Sequence, residues 1–190
     1  MDRRWLLVLG TPVLAWVVGG LAMPHPTGVI AEQTAFDRSA VKDVVGSVAA
    51  APASVVDVTL GKVIQVRGFD GPTRALSRGA RFSGALHFAV LSVVDNDWQV
   101  FVHVDAVDAV AFRMNVDHWP VGGRYRTGLW QPGEHVIDRF EATVPVGAPA
   151  GIYDVWIGLY RGDTRLPVSG GDRSVVDADN RVRVGRVVVE

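Results

Sequence analysis

The sequence predicts a mainly β protein, an antiparallel β-sandwich of immunoglobulin-like or jelly-roll type preceded by an N-terminal hydrophobic helix. Three observations lead there. From Val55 onward apolar residues recur with a period of two, and β-branched side chains dominate. Turn-forming sequences, GFDGP, DND, PVGG, QPGE, PVGAPAG and SGGD, separate these runs. Ahead of them stands an uncharged, mostly apolar run, Trp5 to Met23, preceded by Arg3 and Arg4.

That run opens the first of three segments, residues 1–31. At about 1.5 Å per residue it would nearly cross a ~30 Å hydrocarbon core, as a single membrane anchor. The two arginines would stay in the cytoplasm and leave the rest of the chain outside. The other reading is a cleaved signal peptide, with Val29 and Ala31 as the small residues before a cut at Glu32. Pro12, Gly19 and Gly20 weaken the run as a permanent helix, but its length favours the anchor. Either way, residues 32–190 are expected on the extracytoplasmic side, in the periplasm or on the outer face of the membrane.

The second segment, residues 32–54, reads as a short helix and a linker. Phe36, Ala40, Val44, Val45 and Val48 fall at helical spacing over 34–50, with Thr34 as cap, and AAPAS follows as the linker. The third, residues 55–190, is the sandwich. Its strands are expected at 55–67, 81–94, 98–105, 109–116, 135–144, 152–160 and 181–189, with a short one near 164–168.

Composition narrows the chemistry. Lys and Arg number 19 against 20 Asp and Glu, a balance that gives no electrostatic reason to expect nucleic acid. With no cysteine, disulfides, thiolate metal sites and a cysteine nucleophile are excluded. Stability must come from the apolar core, and a body of this size can supply one. No HExxH, phosphate-cradling glycine loop or GxSxG occurs. Asp95 with Asp97, and Asp177 with Asp179 and Asn180, have oxygen-ligand chemistry that suits calcium, but DND and DADN are also ordinary turns. No cofactor, catalytic residue or metal ligand is assigned.

Alternation sorts the remaining candidates. In HVIDRFEATV, Val136, Phe140, Ala142 and Val144 share the inward face with Asp138. That carboxylate must therefore accept backbone N–H bonds or pair with a basic group. In GIYDVWIGLY, Tyr153, Val155, Ile157 and Leu159 point inward, while Trp156 and Tyr160 flank Gly158 on the other face. Exposed aromatics beside a glycine could stack on sugar rings, or be covered by the helix or a loop. His87 and His103 flank the DND turn. A two-residue hairpin there places them on opposite faces, which argues against a shared metal.

The ordered runs FVHVD (101–105), DHWPVGG (117–123), TGLWQPGEHVID (127–138), GIYDVWIGLY (151–160) and RLPV (165–168) carry a resemblance. Residues 80–190 resemble the extracytoplasmic C-terminal β-sandwich of bacterial protein-mannosyltransferase-like membrane glycosyltransferases. With at most one membrane segment, the sequence is expected to lack the catalytic membrane part of such proteins. The resemblance implies fold and compartment and leaves the ligand open. On it, residues 117–140 close one end of the sandwich: Trp130 plugs the end, and Thr127 or a backbone N–H satisfies Asp138.

The expected function is a non-enzymatic envelope module that binds glycan or another envelope component through Trp119, Arg124, Trp156 and Tyr160. The alternative is a structural or assembly subunit docking on a membrane protein complex. A hydrolase or transferase using Asp117, His118, Glu134 or Asp138 is the third reading.

Overall fold

The computed structural model describes residues 36–48, 51–108 and 111–190. The expected N-terminal hydrophobic segment, with Thr34, lies outside them. Among the described residues no helix is long and apolar enough to cross a membrane.

The chain is mainly β, in two antiparallel sheets. Strands β1 (Val45–Gly46), β2 (Ser54–Leu60), β3 (Ile64–Asp70), β4 (Arg81–Val90), β7 (His135–Thr143) and β10 (Val168–Gly171) build the first, in the order β1-β7-β4-β3-β2-β10. Strands β5 (Gln99–Ala106), β6 (Arg113–Asn115), β8 (Gly151–Arg161) and β11 (Val182–Val189) build the second, in the order β11-β8-β5-β6, with β9 (Thr164–Arg165) paired to β8. Their inner faces supply one apolar core. Val58, Leu60, Ile64, Val66, Leu86 and Val136 come from the first sheet, and Val100, Val102, Tyr153, Val155, Ile157 and Leu159 from the second, all fully buried. Each such aliphatic side chain contributes roughly 1.5–3 kcal/mol. The inward set expected for β8 is the observed one.

Elsewhere the structure corrects the sequence reading. The expected strand 55–67 is two strands, because Gly61 and Lys62 both take left-handed φ (57° and 63°) and reverse the chain. Lysine carries no sequence signal for that turn. β4 and β5 form no hairpin either: β4 pairs with β3 and β7, β5 with β6 and β8, and the DND turn carries the chain between sheets. His87 and His103 therefore stand on different sheets. In DND itself, Asp97 accepts the Gly128 N–H at 3.0 Å.

The expected helix 34–50 is also absent among the described residues. Only Arg38–Val41 form a 3-10 turn, started by the Asp37 carboxylate, which accepts the Ser39 N–H at 3.0 Å. The chain then extends into β1, which pairs Val45 with Val136 and Gly46 with His135. Sheet pairing wins here because β7 would otherwise expose an open edge, and because Val44, Val45 and Gly46 are weak helix formers. Val41 and Val44 are buried in the common core. Residues 36–46 thus form a strap laid on the sandwich.

The crossing from β6 to β7, residues 116–134, receives that strap. Phe36 packs on Tyr125 at 5.2 Å between ring centroids. The Arg38 guanidinium donates to Tyr125 Oη, to Glu134 Oε1 (2.5 Å) and to the Leu129 carbonyl (3.0 Å). Trp130 is fully buried beneath, 5.6 Å from the Phe88 ring, and its Nε1–H donates to the Tyr125 carbonyl at 3.0 Å.

Candidate functional site

Two carboxylate–histidine pairs flank the strand-like stretch 116–119, and alternation sends them to opposite sides. His118 points inward. Its Nε2 lies 2.8 Å from Asp138 Oδ2, and its Nδ1 is 2.7 Å from the Val116 carbonyl. Asp138 is fully buried and also accepts the Val121 N–H at 2.7 Å. Val121 is a buried β-branched residue held at φ 54°, a strained conformation that persists only when its surroundings fix it. The carboxylate does so. Of the two donors expected for Asp138, the backbone N–H is the one found, while Thr127 bridges Trp98 N–H (2.7 Å) and the Asn96 carbonyl (2.8 Å). Burial pulls the His118 pKa down, but the Asp138 hydrogen bond and charge outweigh it, and the net direction is upward.

Asp117 points outward, onto the outer face of the five-stranded sheet. Strand register lays that face out in rows. Gln99 pairs with Tyr160, Phe101 with Gly158, His103 with Trp156 and Asp105 with Asp154. On one flank Arg183 pairs with Trp156 and Arg186 with Asp154. On the other, His103 pairs with Asn115 and Asp105 with Arg113. The Val100–His118 bridge continues that register, which sets Phe101 opposite Asp117 and Gln99 opposite Trp119. Trp119, Trp156 and Tyr160 therefore belong to one face.

Charge pairs fill one end of the face. Asp105 accepts from Arg113 (2.6 Å) and Arg181 (2.7 Å), and Asp154 accepts from Arg186 (2.7 Å). Burial raises the Asp105 pKa, but the two arginines bring it below the ordinary value. Arg181 also binds Asp177 at 2.6 Å, and the Asp177 carboxylate accepts two backbone N–H groups of its own turn. The aspartate-rich turn 177–180 is thus internally bonded.

At the other end lies a depression of about 210 Å³, lined by Phe101, His103, Asp117, Tyr160, Asp163 and Arg165 together with Gly162. Arg165 stacks on Phe101 at 5.0 Å. His103 is 9% exposed; its Nε2 is 3.8 Å from Asp117 Oδ1, too long for a hydrogen bond, and its buried Nδ1 has no partner. Burial and then the Arg113 charge lower the His103 pKa, against weaker opposing pulls from Asp117 and Asp105. Burial raises that of Tyr160. The floor thus holds an imidazole with its pKa lowered, beside two carboxylates, a guanidinium and a phenol ring.

The sequence candidates divide against this geometry. Tyr160 lines the depression, and Trp119 stands in its row but carries Arg126 over its ring at 4.9 Å. Trp156 is not a bare platform: Arg181 and Arg183 lie over its ring at 4.9 and 5.9 Å. Gly158 is not open floor either, since a Cβ there would come within 2.3 Å of the Phe101 ring. Arg124 is elsewhere, turned to the strap, where it donates to the Ala40 carbonyl (3.2 Å) and pairs with Asp43 (3.4 Å). Glu134 is occupied by Arg38, Tyr125 Oη and the Gln131 N–H. Burial and then the Glu134 carboxylate push the Tyr125 pKa far up. Sequence reasoning missed Phe101, His103, Asp163 and Arg165 as partners of Tyr160. The alternation of FVHVD, with Phe101, His103 and Asp105 on one face, was the available signal.

No family model matches the chain, and no curated protein matches it. Among solved structures it is similar to the crystal structure of the C-terminal domain of Wzt, at 10% identity and a TM-score of 0.44, over 73% of this chain and 81% of that one.

Proposed function

We propose that the outer face of the five-stranded sheet is a glycan-binding surface, centred on the Tyr160 depression, in a non-enzymatic extracytoplasmic module. The observation that carries this reading is the grouping of Asp117, Asp163, Arg165 and Tyr160 around the Phe101 ring and the His103 imidazole in one depression. A sugar ring needs acceptors and donors for adjacent hydroxyls and an apolar surface for its C–H face. Carboxylates, a guanidinium and a phenol ring meet all three needs. At about 210 Å³ the depression is smaller than the ~300–1,000 Å³ of pockets that enclose drug-sized ligands, and it suits one ring of a longer chain. A binding role is favoured over catalysis because Glu134 and Asp138 are saturated by structural partners.

The test is a glycan array probed with the full-length chain and with Tyr160→Ala and Asp117→Asn. Selective binding that both substitutions abolish, with circular dichroism unchanged, is the expected result. Binding that survives both moves the site elsewhere.

A docking role has its own support on the same face. Val188 pairs with Ile152, the Ile152 carbonyl accepts the Val107 N–H at 2.9 Å, and all three side chains are exposed. Loss of co-purifying membrane protein in Ile152→Asp, with glycan binding intact, would favour that reading.

A further inference from the structure

The opposite side of the molecule holds a second recess, independent of the glycan reading. It opens between the strap and the outer face of the six-stranded sheet, with a volume of about 170 Å³. Lys42, Asp43 and Gly46 border it from the strap, and Arg67, His87 and His135 from the sheet. The register explains the grouping. His135 pairs with Ala89, and Ile137 with His87, so the two histidines stand diagonally on adjacent strands of one face. Arg67 lies at the β3 bulge, where the pairing shifts between Val66 and Gly68 and brings Gly68 opposite His87.

The charges in the recess are unequal. Asp43 is engaged by Arg124 at 3.4 Å. Asp70 is committed to His87 Nε2 at 2.7 Å and to the Ala53 N–H at 2.7 Å. Arg67 spends one N–H on Gln65 at 3.1 Å, which leaves most of its donors. His135 has a buried Nδ1 with no partner. Two permanent cations and two imidazoles thus converge on a space bordered by one carboxylate, Asp43, which is already paired with Arg124.

We propose that this recess binds a compact oxyanion, a phosphate or carboxylate group, through Arg67 with support from Lys42, His87 and His135. Arg67 supplies the paired donors that match an oxyanion's two oxygens, and Lys42 adds a mobile charge from the strap. Because ligands come from both sides, occupancy ties the strap to the sheet. The Ile137 N–H, which donates to the strap carbonyl of Val44 at 2.8 Å, reports that coupling.

The test titrates the full-length chain with methyl phosphate and, separately, acetate, following the imidazole resonances of its five histidines. The expected result is a saturable shift of His135 and His87 with His103 and His118 unmoved, and slower hydrogen exchange at the Ile137 amide. The stronger of the two probes identifies the group. Arg67→Gln should weaken the response at least tenfold. Arg186→Gln, which removes an arginine from the opposite sheet, should leave it unchanged. A shift shared by all histidines, a linear response, or equal binding by Arg67→Gln would overturn the site. Neither outcome bears on the Tyr160 depression, whose histidine is His103.

Discussion

The pairs Asp138–His118 and Asp117–His103 contain the same chemistry under different closure. The first is 2.8 Å apart, with a carboxylate that is 0% exposed and also accepts the strained Val121 N–H. The second is 3.8 Å apart, its carboxylate 37% exposed, and its imidazole lacks a partner at Nδ1. A saturated buried network specifies the fold, because breaking it strands donors in a low-dielectric interior. An unsaturated one at a surface depression has bonding capacity to spare. Burial alone does not separate architecture from function here; the state of the hydrogen bonds does.

The largest expected difference lies in the tryptophans attached to these two regions. Trp130 fills the closed end, and Trp130→Ala should lose about 3–5 kcal/mol or fail to fold. Trp156 lies half-buried under two guanidiniums, so Trp156→Ala should lose only about 1 kcal/mol. Chemical denaturation of both variants checks the contrast, and a Trp156 loss as large as that of Trp130 would erase it.

The two aspartates come next. Asp138→Ala strands the Val121 N–H and the His118 ring and should destabilise by about 3 kcal/mol. Asp117 accepts the Val102 N–H, at 3.3 Å, so Asp117→Ala should lose about 1 kcal/mol while lowering glycan affinity. Equal melting temperatures for the two variants would show that the closed pair has no special weight.

A smaller effect tests the strap. Arg38 is 30% exposed at its side chain, so Arg38→Ala should remove about 1–2 kcal/mol. The loss should be local: the Ile137 amide should exchange faster while the amides of β5 and β8 keep their protection. Uniform acceleration across both sheets would make the strap an integral part of the global fold.

Much of this was legible in the sequence, and the misses have physical causes. Alternation placed Tyr153, Val155, Ile157 and Leu159 inward and Asp138 among them, because sheet period constrains every residue of a strand. It also put Trp156 and Tyr160 on outward positions. It could not show that β4 and β5 part into different sheets, since pairing is decided between distant segments. Nor could it show that Val44 and Val45 extend to cover the β7 edge. Helical spacing and strand pairing competed for the same apolar residues, and tertiary hydrogen bonds decided. The arginines over Trp156 come from β11 and the preceding turn, some twenty-five residues away in sequence, and no local pattern announces them.

The finest test of the comparison is pH, where the two histidines have opposite signs. The folded pKa of His118 is raised, so its contribution is fully present below the unfolded value of about 6.5 and fades as pH rises through the folded value. That of His103 is lowered, so its contribution is fully present above about 6.5 and fades as pH falls toward the folded value. These two histidines should therefore give the wild-type stability curve a maximum near about pH 6.5, because the His103 contribution grows toward that pH from below and the His118 contribution fades above it. His118→Gln should tilt it so that stability rises with pH, and His103→Gln should tilt it the other way. Imidazole titrations read the same order directly, with the His118 midpoint above about 6.5 and the His103 midpoint below it. A ligand seated in the depression should move the His103 midpoint and leave that of His118 in place. If His103 instead titrates above His118, the open pair holds its proton as firmly as the closed one, and the contrast between the two pairs fails.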